Sequence, residues 1–295
     1  MGEDQPFFSI VIPTYRRPRQ LAVCLQALGQ LDYPRDRFEV IVVDDGSEIS
    51  LDSILAPFKD ALAISLLRQP RQGPSGARNA GAAQAKGEFL AFTADDCAPA
   101  ADWLRTLAVR FAARPDCAIG GKIVNAVQGN SFSAASHLLI MYLYGYYNAL
   151  PEAARFFTPN NLAVPAGRFR SVGGFDVSFV NATGEDREFC DRWLHSGYAM
   201  TYAPEVVVAH GHPLTFHSFC RQHFGYGRGT FRHRLLQAQR GNGRISLEPA
   251  RFYGDLLRYP LTILQEKKNR LAMLIGVSQV ANALGFFWES TARRR

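Results

Sequence analysis

Residues 88–99 read EFLAFTADDCAP. An apolar run from Phe89 to Phe92 gives way within three residues to Asp95 and Asp96, two carboxylates side by side. Such a run has the length and composition of a strand buried on both faces. Adjacent like charges at its end repel each other unless water or a positive group lies against them. The pair marks either a wet edge or the seat of a cation.

Working outward, the same grammar recurs. FFSIVIPTY (7–15) is a β-rich run closed by Pro13, EVIVVDDGS (39–47) ends in acids and turn residues, and ALAISLLRQ (61–69) is a third strand. Between them Leu21, Cys24, Leu25 and Leu28 recur at helical spacing, and so do Leu104, Leu107, Ala108 and Phe111. GPSGARNAGAAQA (73–85) opens with glycines and continues as an alanine-rich helix. Strands alternating with helices predict an α/β fold, a mostly parallel sheet with helices on both faces. In such sheets ligands sit beyond the carboxyl ends of the strands. Here those ends carry Pro13-Thr14-Tyr15, Asp44-Asp45-Gly46-Ser47 and Asp95-Asp96.

Past residue 115 the alternation weakens. AIGGKIVNA is a candidate strand, and SAASHLLIMYLYGYYNAL (133–150) reads as a buried or interfacial helix, too polar for a membrane span. Five scattered cysteines without a CxxC predict a reducing compartment, and the opening MGEDQPFF does not read as a signal peptide, so a cytoplasmic location is expected. Asn181 begins a sequon of no consequence there. GxGxxG does not follow the first strand, which excludes a dinucleotide-binding dehydrogenase of the usual kind; a GxGxR loop of nucleotidyltransferase type is missing as well.

An Asp pair at a strand end suits a hard divalent cation, Mn2+ or Mg2+, which takes carboxylate, phosphate and water oxygens; acids that merely cap helices are the alternative. Glu185 and Asp186, in GEDREF, fall in the first turn of a predicted helix, where acids also serve the helix dipole.

The series SIVIPTYRR, VVDDGS, GPSGARNAG, FTADDCAP, GGFD and GEDREFCDRWLHSGY, spread in this order over about residues 7–230, resembles the family 2 glycosyltransferases. The resemblance implies the GT-A fold, a Rossmann-like nucleotide-binding sheet, with inverting, nucleotide-sugar-dependent chemistry. It implies nucleotide contacts at Pro13, Thr14, Tyr15, Asp45, Arg78 and Asp95. It gives the metal to Asp96 and His210, with His212 as an alternative ligand, the general base to Asp186, and sugar or acceptor contacts to Asn160, Asn161 and Glu185. The sequence departs from the family's DxD pattern, since Thr93-Ala94 stand where a further acid is common. A rival reading follows from that departure: a GT-A protein that has lost catalysis and acts as a nucleotide- or membrane-binding module.

Charge is unevenly spread. Residues 216–295 hold 14 Lys and Arg against 4 Asp and Glu, while the rest of the chain is slightly acidic. We therefore expect a catalytic domain over 1–215, with a nucleotide half to about 115 and an acceptor half over 116–215, and a basic helical C-terminal extension over 216–295. Phe216, Phe219, His223 and Phe224 form one predicted helical face, and Arg228 and Arg232 are candidate diphosphate or phospholipid contacts. The stretch 271–289, flanked by Lys267-Lys268 and Arg293-Arg294-Arg295, reads as a helix lying on an anionic membrane at its inner face. The partners expected are a nucleotide-sugar donor, probed first with UDP, a saccharide or lipid-linked acceptor and that membrane, with a homodimer as a further reading and no nucleic acid.

Overall fold

The computed structural model describes residues 5–179, 183–241 and 243–292. Arg293-Arg294-Arg295 and Asn181 lie outside the described residues.

Four strands, β1 (Phe8–Thr14), β2 (Phe38–Asp44), β3 (Ile64–Arg68) and β4 (Phe89–Phe92), run parallel as expected. Beyond β4 the sheet turns mixed. β5 (Cys97–Pro99), β6 (Ala118–Asn125), β7 (Leu162–Pro165) and β8 (Met200–His210) complete one sheet in the order β3-β2-β1-β4-β7-β6-β8-β5. β7 is antiparallel to both its neighbours, and β5 is antiparallel to β8.

The unbroken apolar strands are explained by helices on both faces. Ile10, Ile12, Val40 and Val42 point into a core shared with α1 (Pro18–Leu28), α2 (Asp52–Leu55) and α4 (Trp103–Ala113). Val11, Ile41, Val43 and Phe92 point the other way, toward α3 (Gly73–Gln84), α5 (Ser131–Tyr147), α6 (Ala166–Ser171) and α7 (Glu185–His195). Burying each such side chain contributes about 1.5–3 kcal/mol. Local signals set the helix starts. Pro18 opens α1, and Asn130 caps α5 by accepting from the amides of Phe132 and Ser133 at 3.0 Å.

The basic C-terminal stretch folds as three helices, α8 (Phe216–Arg240), α9 (Ala250–Ile263) and α10 (Lys268–Ala292). Thr215 and Ser218 form a capping box that starts α8. Phe219, Phe252, Leu256, Leu271, Leu274 and Ile275 join the same core as α5 and α7. The predicted aromatic face of α8 is only partly realised: Phe219 and His223 are fully buried, whereas Phe216 is 55% exposed. The helices α8 and α10 meet backbone to backbone through glycines. A Cβ on Gly227 would stand 1.8 Å from the Asn282 carbonyl oxygen, and one on Gly285 would stand 1.9 Å from that of Phe224. One on Gly229 would collide in the same way with Thr183, in the turn that opens α7.

Candidate active site

The parallel strands empty into a cleft of about 520 Å3. Pro13, Thr14 and Tyr15 line it from the end of β1, and Asp95 and Asp96 from the turn after β4. Asp96 reaches its partners through the pairing of β5 with β8. That register sets Cys97 opposite His210, and the Gly211 amide bonds the Asp96 carbonyl at 2.7 Å. The Asp96 carboxylate then lies 3.3 Å from His210 Nε2 and 3.2 Å from His212 Nδ1.

These three side chains present ligand atoms within 4.8 Å of one another. The chemistry of the donors fits a cation. His212 Nε2 faces Gln222 Oε1 at 3.0 Å, while the Gln222 amide donates to Ser136 Oγ at 2.9 Å. An amide oxygen only accepts, so Nε2 carries the hydrogen. In the neutral ring Nδ1 is then a bare lone pair aimed at a carboxylate oxygen, an arrangement that needs a proton or a metal between them. The His210 and His212 rings lie parallel, their planes 3° apart. Two imidazoles with one carboxylate suit Mn2+ better than Mg2+, which prefers oxygen. Both histidines, rather than one or the other, reach Asp96.

The positive group beside the Asp pair is one that sequence reasoning missed. Arg17 Nη1 donates to Asp95 Oδ1 at 3.2 Å and to Asp96 Oδ2 at 2.9 Å. Thr14 Oγ1 donates to Asp95 Oδ2 at 2.8 Å. Burial pushes both carboxyls up, and Asp95 stays raised, because Arg17 only partly offsets its burial and the neighbouring Asp96 charge. In Asp96 the bonds from His210 and His212 and the charge of Arg17 overcome burial and hold it far below the usual range. The signal for Arg17 was its place: Pro18 starts α1, so the residue before it sits at the helix mouth, against β1.

Other candidates fall in less obvious roles. Asp45 lines the cleft, and its carboxylate accepts from Gln69 Nε2 and the amides of Gln72 and Gly73, each at 2.8 Å. It thereby ties the entrance of α3 to β2, where Gly46 takes φ +86° to turn the chain. Arg78 and Glu185 form a buried pair, 3.2 Å apart. Burial, and then the adjoining Asp186 charge, pushes Glu185 up to about 7 against the pull of Arg78. Asp186 is raised by burial, opposed by Arg187. It lines the same cleft as Asp96.

Two candidates stand outside the cleft. Asn161 is 1% exposed and fully used: it accepts from Trp103 Nε1 and donates to the carbonyls of Lys122 and Val206, all at 2.9 Å. Its neighbour Asn160 lines the cleft instead. Arg228 is turned toward α10, where it donates to Glu289 at 2.8 Å and covers the Trp288 ring at 4.4 Å. Arg232 grips the same Glu289 at 2.5 Å. Arg221 is the arginine of α8 on the cleft wall.

Residues 9–171 match the family model described as glycosyl transferase family 2, and residues 93–290 match a second, glycosyl transferase family group 2. The chain is a family 2 glycosyltransferase. This glycosyltransferase is 30% identical over 238 residues to glycosyltransferase AglE of Haloferax volcanii, covering 78% of this chain and 74% of the relative. It is 32% identical to the pre-mycofactocin glycosyltransferase of Mycobacterium tuberculosis, over 77% of this chain but 47% of that protein, so it spans about half of that relative's length. Among solved structures, a mannosyltransferase from Pyrobaculum calidifontis in complex with GDP-Man and Mn2+ superposes with a TM-score of 0.67 at 19% identity, over 97% of this chain and 88% of the other. TarS 1–349 of S. aureus in complex with UDP-GlcNAc gives 0.55 at 17%, over 98% and 92%. The fold is therefore GT-A, and the glycosyltransferase is an enzyme of sugar transfer.

Proposed function

We propose that this enzyme moves a sugar from a nucleoside-diphosphate sugar to an acceptor hydroxyl by one direct displacement, with inversion at the anomeric carbon. The observation that carries the reading is the meeting, in one cleft, of the Asp96–His210–His212 cluster and the Asp186 carboxylate. Asp96, His210 and His212 would hold Mn2+, which supplies positive charge for the departing diphosphate. Thr14 fixes Asp95, through which the donor's ribose or sugar is oriented. Arg17 and Arg221 supply further positive charge at the cleft. Asp186 takes the proton of the attacking hydroxyl, and the rise in its basicity that burial causes favours that task. Asp45 shapes the base pocket through the loop it anchors.

The donor reading is supported by GDP-Man and UDP-GlcNAc in the two neighbours named above; UDP is the first nucleotide to test, GDP the second. Membrane contact is supported by α10. It is the one helix among the described residues long and apolar enough to cross a bilayer. Its inner face packs into the protein, and Met273, Val280, Leu284, Phe287 and Trp288 are exposed along the remainder. With exposed Lys267, Lys268 and Arg270 at its start, it suits a helix resting on anionic lipid.

The test is thermal shift with UDP, GDP and dTDP, with and without Mn2+, then the anomeric configuration of the product by NMR. A ligand at a hundred times its Kd adds about 2.7 kcal/mol to the folded state. The reading fails if none of the three nucleotides shifts the transition in the presence of Mn2+.

A further inference from the structure

Behind the cleft lies a second cavity of about 130 Å3, bounded by α5, α7, α8, α9 and α10. Ile140, Thr158, Asp186 and Tyr226 line both spaces, so Asp186 stands at the boundary between them. The lining is mixed. From α5 and α9 come Leu139, Leu143, Phe252 and Leu256; from α8 and α10 come Arg234, Gln279 and Asn282. Part of the polar lining is spent within the protein. Glu248 accepts from Tyr147 Oη at 2.6 Å and pairs with Arg234, and Arg234 Nη1 donates to Gln237 at 3.1 Å. The rest is unspent. Arg234 Nε is buried without a partner. Among the described residues the half-buried Asn282 amide has no partner either, and Gln279 uses only its NH2 group, on Ser278 at 3.2 Å. A buried N–H without an acceptor has lost its hydration with nothing in return, so the cavity calls for an oxygen at Arg234.

We infer that this cavity receives one neutral, polyhydroxylated ring of the acceptor, a sugar unit, with its attacking hydroxyl at Asp186. The inference rests on the reading of Asp186 as the base. The lining separates three classes of ligand. A wholly apolar group would leave Arg234 Nε and the Asn282 amide unpaired. An anion would meet the Glu248 and Asp186 carboxylates, and the two arginines of the lining are engaged: Arg234 with Glu248, and Arg187 over the Tyr147 and Phe156 rings at 5.2 and 4.8 Å. A sugar offers C–H faces to the leucines and Phe252. Its hydroxyls both donate and accept, which matches a donor at Arg234, an acceptor at Gln279 and both at Asn282. The space is that of about four water molecules, room for one such unit and not for two. With the ring seated, the attacking oxygen lies at the boundary. Its O–H proton passes to Asp186 as the new C–O bond forms, and the nucleoside diphosphate leaves with the electron pair of the broken bond. Arg234, Phe252, Leu256, Gln279 and Asn282 all belong to α8, α9 and α10, so the C-terminal helices select the acceptor while the sheet holds the donor.

The test uses the full chain with the methyl glycosides of glucose, galactose, mannose and N-acetylglucosamine, and with cyclohexylmethanol as an apolar ring of similar size. In an NMR titration at least one glycoside is expected to bind at least tenfold more tightly than cyclohexylmethanol. In soaked wild-type crystals its ring is expected against Phe252, with one hydroxyl at Arg234 Nε and another at Asp186. Asn282→Leu, which keeps the volume and removes the amide, is expected to weaken that glycoside at least tenfold while the nucleoside diphosphate thermal shift is kept. Glycosides that bind no better than cyclohexylmethanol, water alone at Arg234 Nε in the soaked crystals, or equal affinity in wild type and variant overturns the inference. The crystal position decides the matter if Asn282→Leu does not fold. Asp186→Asn separates the inference from the reading beneath it. The glycoside is expected to stay bound while its glycosylation, with a nucleotide sugar and Mn2+, falls at least a hundredfold. Transfer at the wild-type rate would overturn the reading of Asp186 as the base, on which the position of the ring does not depend.

Discussion

Arg17 and Asp96 form an ion pair, Nη1 to Oδ2 at 2.9 Å, on the same carboxylate oxygen that His212 Nδ1 approaches at 3.2 Å. The positive charge beside the Asp pair is therefore that of a side chain. A metal bound to Asp96 competes with that guanidinium. Arg17→Met is expected to bind Mn2+ about tenfold more tightly without nucleotide, a change of ~1.4 kcal/mol, measured by the loss of the free Mn2+ EPR signal. His212→Ala is expected to move affinity the other way. Unchanged Mn2+ binding in Arg17→Met would show that the pair does not guard the site.

Removal of the proposed base should separate chemistry from binding. Asp186→Asn is expected to lower kcat by about 10²–10⁴, the usual worth of general base catalysis. The Kd for nucleoside diphosphate, taken from calorimetry, should change little, because Asp186 is read as meeting the acceptor hydroxyl and not the nucleotide. A variant that turns over normally would remove Asp186 from the mechanism.

The Glu185–Asp186 pair should be visible in the pH profile. Both carboxyls are raised, Glu185 to about 7. A base works only after losing its proton, so kcat/KM rises with pH, and the acid limb lies above the ordinary carboxylate range. The two groups titrate as a pair. Glu185→Gln removes a negative neighbour and is expected to move the limb to lower pH. Stability runs in the opposite sense: a carboxyl whose folded pKa is raised stabilises the fold below its unfolded value, and that contribution is lost as pH rises toward 7. A limb that stays in place in Glu185→Gln would uncouple the pair.

Asn161 belongs to the scaffold, and its variant should say so. Asn161→Ala abandons three buried partners, among them Trp103 Nε1. Each buried group left unpaired costs about 1–3 kcal/mol. The expected result is a large fall in Tm with KM for the donor unchanged in whatever fraction folds. A donor KM raised at constant Tm would return Asn161 to the site.

The outer face of α10 can be tested on vesicles. Sedimentation with phosphatidylglycerol vesicles is expected, and it should weaken in Phe287→Ser with Trp288→Ser and at high salt, since screened charge and lost apolar area both reduce it. Equal sedimentation with neutral phosphatidylcholine would point away from the charge argument.

What the sequence made legible follows from range. The four parallel strands could be read because each is a local apolar run, and the ends of β1, β2 and β4 because acids or hydroxyls close them. That Asp96 and Asp186 line one cleft was legible through motifs of adjacent residues. The mixed second half of the sheet was not, because β7 is only four residues long and its direction depends on partners fixed far along the chain. Arg17 escaped for a similar reason: its partners lie 78 and 79 residues away. Asn161 and Arg228 were misread because polar residues near a motif look alike in sequence whether they face a ligand or a buried neighbour.

The glycine contacts along α8 have a practical consequence for protein engineering. Gly227 and Gly285 lock two helices, and Gly229 locks one of them to the turn that launches Asp186. A chimaera that grafts the tail of a relative onto residues 1–215 must therefore bring glycines on both helices, one of them matched to the Thr183–Gly184 bend that the host retains. Otherwise a single methyl at the seam would displace the turn that precedes Asp186 and disturb the cleft that this side chain lines.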